Sequence, residues 1–360
     1  MDVGKTYRHV HQTQPEKQTT KTNTIQTTHM KIKTSILTLL AAALSAGSSW
    51  GQLPISPTSG ITRISLTANV TNAVAVPFAK SIPFEGTISA VSGTTLTLAG
   101  VTLTPGALTN HAIYIPTHLD PGTVGGAYGR IVNIVSNTGT QVVTDTAIVP
   151  FVGDDFQIIE QHTLSSLLGQ LTTLQLLGGT SPSNADNVSI EVGGVFTTYF
   201  HRTGTGWQLV TDFPTAGPVQ GGVSVPFGKG ILVRRRGGNR TLTVSGEAIT
   251  GRFRPTTVAS AANNMVNNPF LVPVPLIESG VSAFITSGTT RNNSDTIFIE
   301  VGGVFSGYWR RTSNGNFYPI SDTSGTGPAV DATVLLNPGK AILFVDRGTA
   351  GFGMPQPFNE

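Results

Sequence analysis

The stretch Glu191-Val192-Gly193-Gly194-Val195-Phe196 returns as Glu300-Val301-Gly302-Gly303-Val304-Phe305. Both occurrences must satisfy one local geometry, which restricts the fold more than any bulk property does. The same register carries Tyr199 onto Tyr308, Arg202 onto Arg311 and Thr203 onto Thr312. After small insertions, Asp212 aligns with Asp322, Gly217-Pro218 with Gly327-Pro328, Gly228-Lys229 with Gly339-Lys340, and Arg236-Gly237 with Arg347-Gly348. The chain reads as carrying an internal duplication.

Each copy predicts a β-hairpin. Val188, Ile190 and Val192 alternate with Asn187, Ser189 and Glu191, the period of a half-buried strand. A diglycine that can adopt positive φ at both positions then turns the chain directly into residues 195–202. With Val192 facing Val195, one face collects Val188, Ile190, Val192, Val195, Thr197 and Tyr199; its counterpart collects Ile297, Ile299, Val301, Val304, Ser306 and Tyr308. That face is the expected core. The same register places Asp186 opposite His201 and Asp295 opposite Arg310, pairs worth a few tenths to about 1 kcal/mol.

Only 11% of residues are charged, and 42 are glycines. A chain that does its polar work with Thr, Ser, Asn and Gly favours strands and tight turns over amphipathic helices. The net charge of +3 invites a polyanion partner, but six Lys/Arg fall in residues 1–51, leaving 16 basic and 17 acidic residues beyond. Without that leader the charge nearly cancels, and the case for nucleic acid goes with it. The leader has the parts of an export signal: Met30-Lys31-Ile32-Lys33, the apolar run 36–44, then small residues around Ala46-Gly47-Ser48. Met30 reads as the initiator, with 1–29 a non-native upstream extension or disordered segment and 30–51 a signal peptide. The absence of cysteine means a fold held by packing, not disulfides.

After a lead-in over 52–80, short strands separated by Gly, Pro and Asn turns predict an N-terminal β-barrel or sandwich over 81–160. One helix is predicted near 163–177, capped by Thr163 or Ser165 and stopped by Gly178-Gly179. The two β repeats are placed at 161–256 and 257–360, with residues 263–275 a linker or edge segment. The expected class is all-β: a small barrel or sandwich followed by two copies of an antiparallel unit.

Ile82-Pro83-Phe84-Glu85-Gly86-Thr87, the run Tyr128-Gly129-Arg130-Ile131-Val132-Asn133, and Gly153-Asp154-Asp155-Phe156 give this order further character. With Gly228-Lys229-Gly230-Ile231-Leu232-Val233-Arg234-Arg235, it resembles an uncharacterised family of exported all-β bacterial proteins of planctomycete and verrucomicrobial type. His162 stands where that family has an aromatic residue, and no carboxy-terminal sorting helix is evident. The resemblance implies export but no activity.

No catalytic constellation is found. There is no Gly-x-Ser-x-Gly elbow and no His-Glu-x-x-His, and the histidines after the leader, His111, His118, His162 and His201, are scattered. Glu191 and Glu300 could be imagined as glycosidase carboxylates, but both occupy the same place beside the same turn, so one structural reason serves both. Lys229 and Lys340 read as solvated lysines in matching turns. Candidate ligand contacts are Arg234, Arg235 and Arg236, for an anionic polysaccharide or lipid headgroup, and the aromatics Trp207 and Trp309, for sugar stacking. No cofactor is expected, nor a membrane span once the signal is removed. The expected function is that of an exported, non-catalytic β-protein of the cell envelope, surface or extracellular matrix. Its partners would be cell-surface polysaccharide or other envelope proteins, with a glycan-binding module or polysaccharide-processing enzyme as the alternative.

Overall fold

The alternating aliphatics form strands, and the diglycines turn them as their freedom at positive φ allows. Gly193 and Gly194 sit at φ 61° and 81°, Gly302 and Gly303 at 62° and 87°. Val192 faces Val195, Ile190 faces Thr197 and Val188 faces Tyr199; Val301 faces Val304, Ile299 faces Ser306 and Ile297 faces Tyr308. The computed structural model describes residues 59–117, 126–170, 174–249, 251–257, 262–330, 332–347 and 353–354. The chain divides into two units, Met1–Ile55 and Ser56–Glu360, and every described residue belongs to the second. Residues 1–58, on which the expected upstream extension, export signal and first part of the lead-in fall, lie outside the described residues.

In chain order the first strands are β1 (Ser59–Leu66), β2 (Thr71–Val74), β3 (Ser81–Ser92), β4 (Thr95–Ala99), β5 (His111–Tyr114), β6 (Arg130–Asn137), β7 (Gln141–Thr144) and β8 (Asp155–Glu160). Then come β9 (His162–Thr163), helix α1 (Leu164–Leu168), β10 (Asn187–Val192), β11 (Val195–Arg202), β12 (Gly206–Leu209), β13 (Ser224–Val225), β14 (Ile231–Arg234), β15 (Arg240–Glu247) and β16 (Arg254–Pro255). The last are β17 (Ala262–Val266), β18 (Val274–Pro275), β19 (Thr296–Val301), β20 (Val304–Arg310), β21 (Phe317–Pro319), β22 (Leu335–Leu336) and β23 (Ile342–Asp346). The described residues are all-β with one short α-helix.

Residues 81–160 form a closed barrel of six strands, not an open sandwich: β3, β4, β7, β6, β5 and β8 pair in a ring that the β6–β7 ladder completes. Closure removes the sheet edges that would otherwise invite pairing with other chains. Ile88, Leu96, Leu98, Ile113, Val132 and Phe156 fill its interior.

The two hairpins sit in five-stranded sheets of like order, β12-β11-β10-β14-β2 and β21-β20-β19-β23-β17. The lead-in therefore contributes β2 to the first sheet, and the barrel interrupts the chain between β2 and the strands it pairs with. The start of the 263–275 segment likewise falls in β17, at the edge of the second sheet. Asn72 on β2 and Asn264 on β17 make the same contacts: each donates two residues back along the chain, to Val70 and Ala262, and across to Val233 and Phe344. A ribbon of β1 and β15 closes the first core, where Ile64, Leu66, Leu242 and Val244 join Val188, Ile190 and Trp207.

Three expectations are corrected. The helix spans only Leu164–Leu168, because Gly169 at φ 82° ends it nine residues before the diglycine expected to do so. Thr163 caps it in a reciprocal capping box with Ser166. Asp186 and Asp295 do not extend the hairpin ladders, which begin at Asn187 and Thr296. They bind backbone: Asp186 accepts from Leu177 and Arg236, Asp295 from Thr286 and Arg347, at 2.6–2.7 Å. Finally, the hairpins are not apolar on one side alone. Val192, Val195, Val301 and Val304 at the tips are exposed by 59–67%, while Glu191, Phe200, Glu300 and Trp309 on the opposite face are fully buried. The tips project past the core; on the second face Glu191 and Glu300 meet the other sheet, while Trp309 lies against the loop of Asp322 and Gly325.

Candidate functional site

The side chains proposed to meet a ligand are divided by burial. Strand alternation carries Arg234 and Arg236 to solvent and turns Arg235 inward, where it is 4% exposed and paired with the fully buried Asp186. Trp207 and Trp309 are both 0% exposed. Their indole N–H groups donate to the Gly169 carbonyl at 2.9 Å and the Asp322 carbonyl at 2.8 Å. Neither presents a ring face to solvent, so of the candidate set only Arg234 and Arg236 are accessible.

The charged groups brought together are ones that sequence reading kept apart. Lys229 is 8% exposed, and its Nζ lies 2.7 Å from Glu191 Oε2; Lys340 Nζ lies 2.7 Å from Glu300 Oε2. Each carboxylate also accepts its own turn amide, Glu191 from Gly194 and Glu300 from Gly303. Each then reaches into the other sheet: Met265 N–H on β17 donates to Glu191 at 3.2 Å, and Ala73 N–H on β2 donates to Glu300 at 3.3 Å. The backbone repeats the exchange. Ala75 donates to Gly339 and Asn267 to Gly228, both at 2.9 Å. Ala73, Ala75, Met265 and Ala341 fill the seam, with Phe196, Phe305, Leu232 and Leu343 packed against them.

This arrangement locks two sheets together and leaves little for chemistry. A glycosidase needs two carboxyl groups facing one sugar across a water- or substrate-sized gap; Glu191 and Glu300 are each fully buried and saturated by a lysine and two amides. The lysines expected to be solvated are instead the counter-ions. The signal that could have found them was in the sequence: in a chain with so few charges, a Glu and a Lys are both retained at matched places in the two stretches.

Two surface depressions hold titratable groups that are engaged or shielded. An open depression of about 520 Å³ holds Lys80 and Glu247, but Lys80 is bound to Glu160 and Glu247 accepts the Ile82 amide at 2.7 Å. Another, of about 310 Å³, brings His162 beside Ser166. Ser166 Oγ is held in the capping box by Thr163, so it is not an activated nucleophile. Burial pushes the proton affinity of His162 below the ordinary value, with Lys80 adding to the effect. Neither ring nitrogen makes a hydrogen bond of ordinary geometry, and the Ser245 backbone only partly offsets the lowering. Among the described residues no three His, Asp or Glu side chains gather as metal ligands, and no helix is long and apolar enough to cross a membrane. No protein family, curated protein or solved structure matches the chain.

Proposed function

We propose that the chain is an exported, non-catalytic β-protein of the cell envelope, surface or extracellular matrix, with a structural or interaction role, built from two copies of one β unit and an inserted barrel. The observation that carries this reading is the fate of its buried charges. Glu191, Glu300, Lys229, Lys340, Asp186 and Arg235 all serve as internal ties, which is how a fold without disulfides secures its seams. The like register of the two sheets and the shared contacts of Asn72 and Asn264 support the duplication. The signal-like leader and the resemblance to exported bacterial β-proteins support the location.

Two experiments test it. Fractionation of producing cells should recover the protein, processed near residue 48 or 51, outside the cytoplasm; full-length cytoplasmic protein rejects export. The purified chain, screened against chromogenic esters and glycosides, should give no turnover. Saturable turnover abolished by a single substitution rejects the non-catalytic reading and favours a polysaccharide-processing enzyme.

A further inference from the structure

Arginines also gather where the barrel meets the sheets. Phe253 is fully buried, and on extended backbone its neighbours point the opposite way, so Arg252 and Arg254 share the outer face. Arg254 is the register partner of Arg130 in the parallel pairing of β16 with β6, on strands about 4.8 Å apart. The Arg252 guanidinium lies 4.7 Å from the centre of the Tyr128 ring and 5.4 Å from that of Phe284; the Arg254 guanidinium lies 5.8 Å from the same Phe284 ring. The backbone is shaped around the two stems. A Cβ on Gly129 would lie 2.9 Å from Arg252 Cβ and Cγ, and one on Gly353 would lie 2.9 Å from Arg254 Cγ. Reciprocal amide bonds between Phe253 and Met354 hold this segment in place.

Among the described residues these cations meet no counter-charge: all three are half-buried, and no carboxylate pairs with any of them. Of the five N–H donors on each guanidinium, the described contacts use one on Arg254, to the Gly126 carbonyl at 3.0 Å. Burial, then Arg130 and Arg252, weaken the hold of Arg254 on its proton, though arginine remains charged. Arg235 shows how this chain treats a buried arginine it means to neutralise: it supplies Asp186. Here the cations are collected, oriented by aromatic faces and left with open donor forks.

We propose that Arg130, Arg252 and Arg254 form a binding site for a sulfate or carboxylate oxyanion, whether free or carried on an acidic polysaccharide. Planar guanidinium forks match the paired oxygens of such groups. A nucleic acid is disfavoured because the chain beyond residue 51 has 16 basic against 17 acidic residues, and because the Tyr128 and Phe284 faces are occupied by guanidinium groups instead of being open to bases. The inference does not rest on export, since binding by the purified chain can be measured whatever its compartment.

Affinity electrophoresis against polygalacturonate, dextran sulfate, uncharged dextran and single-stranded DNA, with melting curves in sodium sulfate, tests it. At low millimolar concentration, below the range in which sulfate stabilises proteins generally by exclusion, it should raise the melting temperature of the wild type more than chloride of equal ionic strength does. Retention by either acidic polymer, competed by sulfate, identifies a polymer as the carrier; sulfate stabilisation without retention identifies the free ion. Arg252→Gln with Arg254→Gln should weaken binding about tenfold or more, whereas Arg234→Gln with Arg236→Gln should leave it unchanged. If the first double variant does not fold, Arg130→Gln alone should abolish the sulfate shift. The proposal is overturned by a wild type unmoved by sulfate and retained no better than on dextran, by equal losses in the two double variants, or by DNA binding tighter than either acidic polymer.

Discussion

Replacing Lys229 with methionine isolates the energetics of the seam. The substitution keeps most of the side-chain volume and removes the ammonium that sits 2.7 Å from Glu191. The carboxylate left behind is fully buried and keeps only the amides of Gly194 and Met265. Breaking a buried pair on one side costs about 3–5 kcal/mol, because a charge is stranded in low dielectric. For a urea slope of about 3 kcal/mol/M, the unfolding midpoint should fall by about 1–1.7 M, read from the fluorescence of the buried Trp207 and Trp309. Adding Glu191→Gln should recover part of the loss, since a neutral side chain still offers an oxygen to one of the two amides. Glu191→Leu should not, because each stranded amide costs about 1–3 kcal/mol. Hydrogen exchange at Met265, whose amide the carboxylate accepts across the seam, should accelerate in Lys229→Met. A cost below about 1 kcal/mol, the scale of an exposed pair, with unchanged exchange at Met265, would refute the claim that this pair ties the sheets.

Three further outcomes follow from the same structure. His162 is buried, and its folded-state proton affinity is lowered, so below about pH 6.5 the unfolded chain binds more protons. Stability should therefore fall as pH drops through that value and go on falling until the folded-state pKa is passed; His162→Phe should flatten this slope, and an unchanged profile by urea titration across pH 5–7.5 rejects the assignment. A Cβ on Gly230 would collide with Ala341 Cβ across the seam, so Gly230→Val should destabilise by about 1–3 kcal/mol, while Gly238→Ala, with nothing near it, should sit within about 0.5 kcal/mol of wild type in thermal melts. Thr163→Ala removes the cap of α1 and should cost about 1 kcal/mol; no measurable change would mean that the short helix is held by Leu164, Leu167 and Leu168 alone.

Local structure was legible wherever a short-range rule governs it. Diglycine turns set both hairpin registers, and alternation at Val188, Ile190, Ile297 and Ile299 identified the core side of each. The all-β class followed from composition and turn spacing. What could not be read depends on partners far away in sequence. Nothing local marks residues 71–74 as a strand of the first sheet, because their ladder partner is β14. Trp207 and Trp309 could be read either as stacking platforms or as core until the layers beside them are known, and packing is the outcome. Glu191 and Lys229 carry their meaning as a pair 38 residues apart, and the tertiary fold alone brings them together. Helix length failed for the opposite reason: a single glycine at 169 outweighed the apolar run that follows it.

The interruption of the first sheet by the barrel bears on how the molecule is made. The barrel can close as soon as residue 160 has been synthesised, but β2 must wait for β14, and Asn72 meets Val233 only across 161 residues of chain. The opening strands therefore remain unmated while a finished barrel hangs downstream of them, and the sheet is sealed when the later ribbon returns to collect them. Such long-delayed closure is slow by nature, so a nascent chain of this design carries a finished barrel beside bare strand edges until its last third arrives.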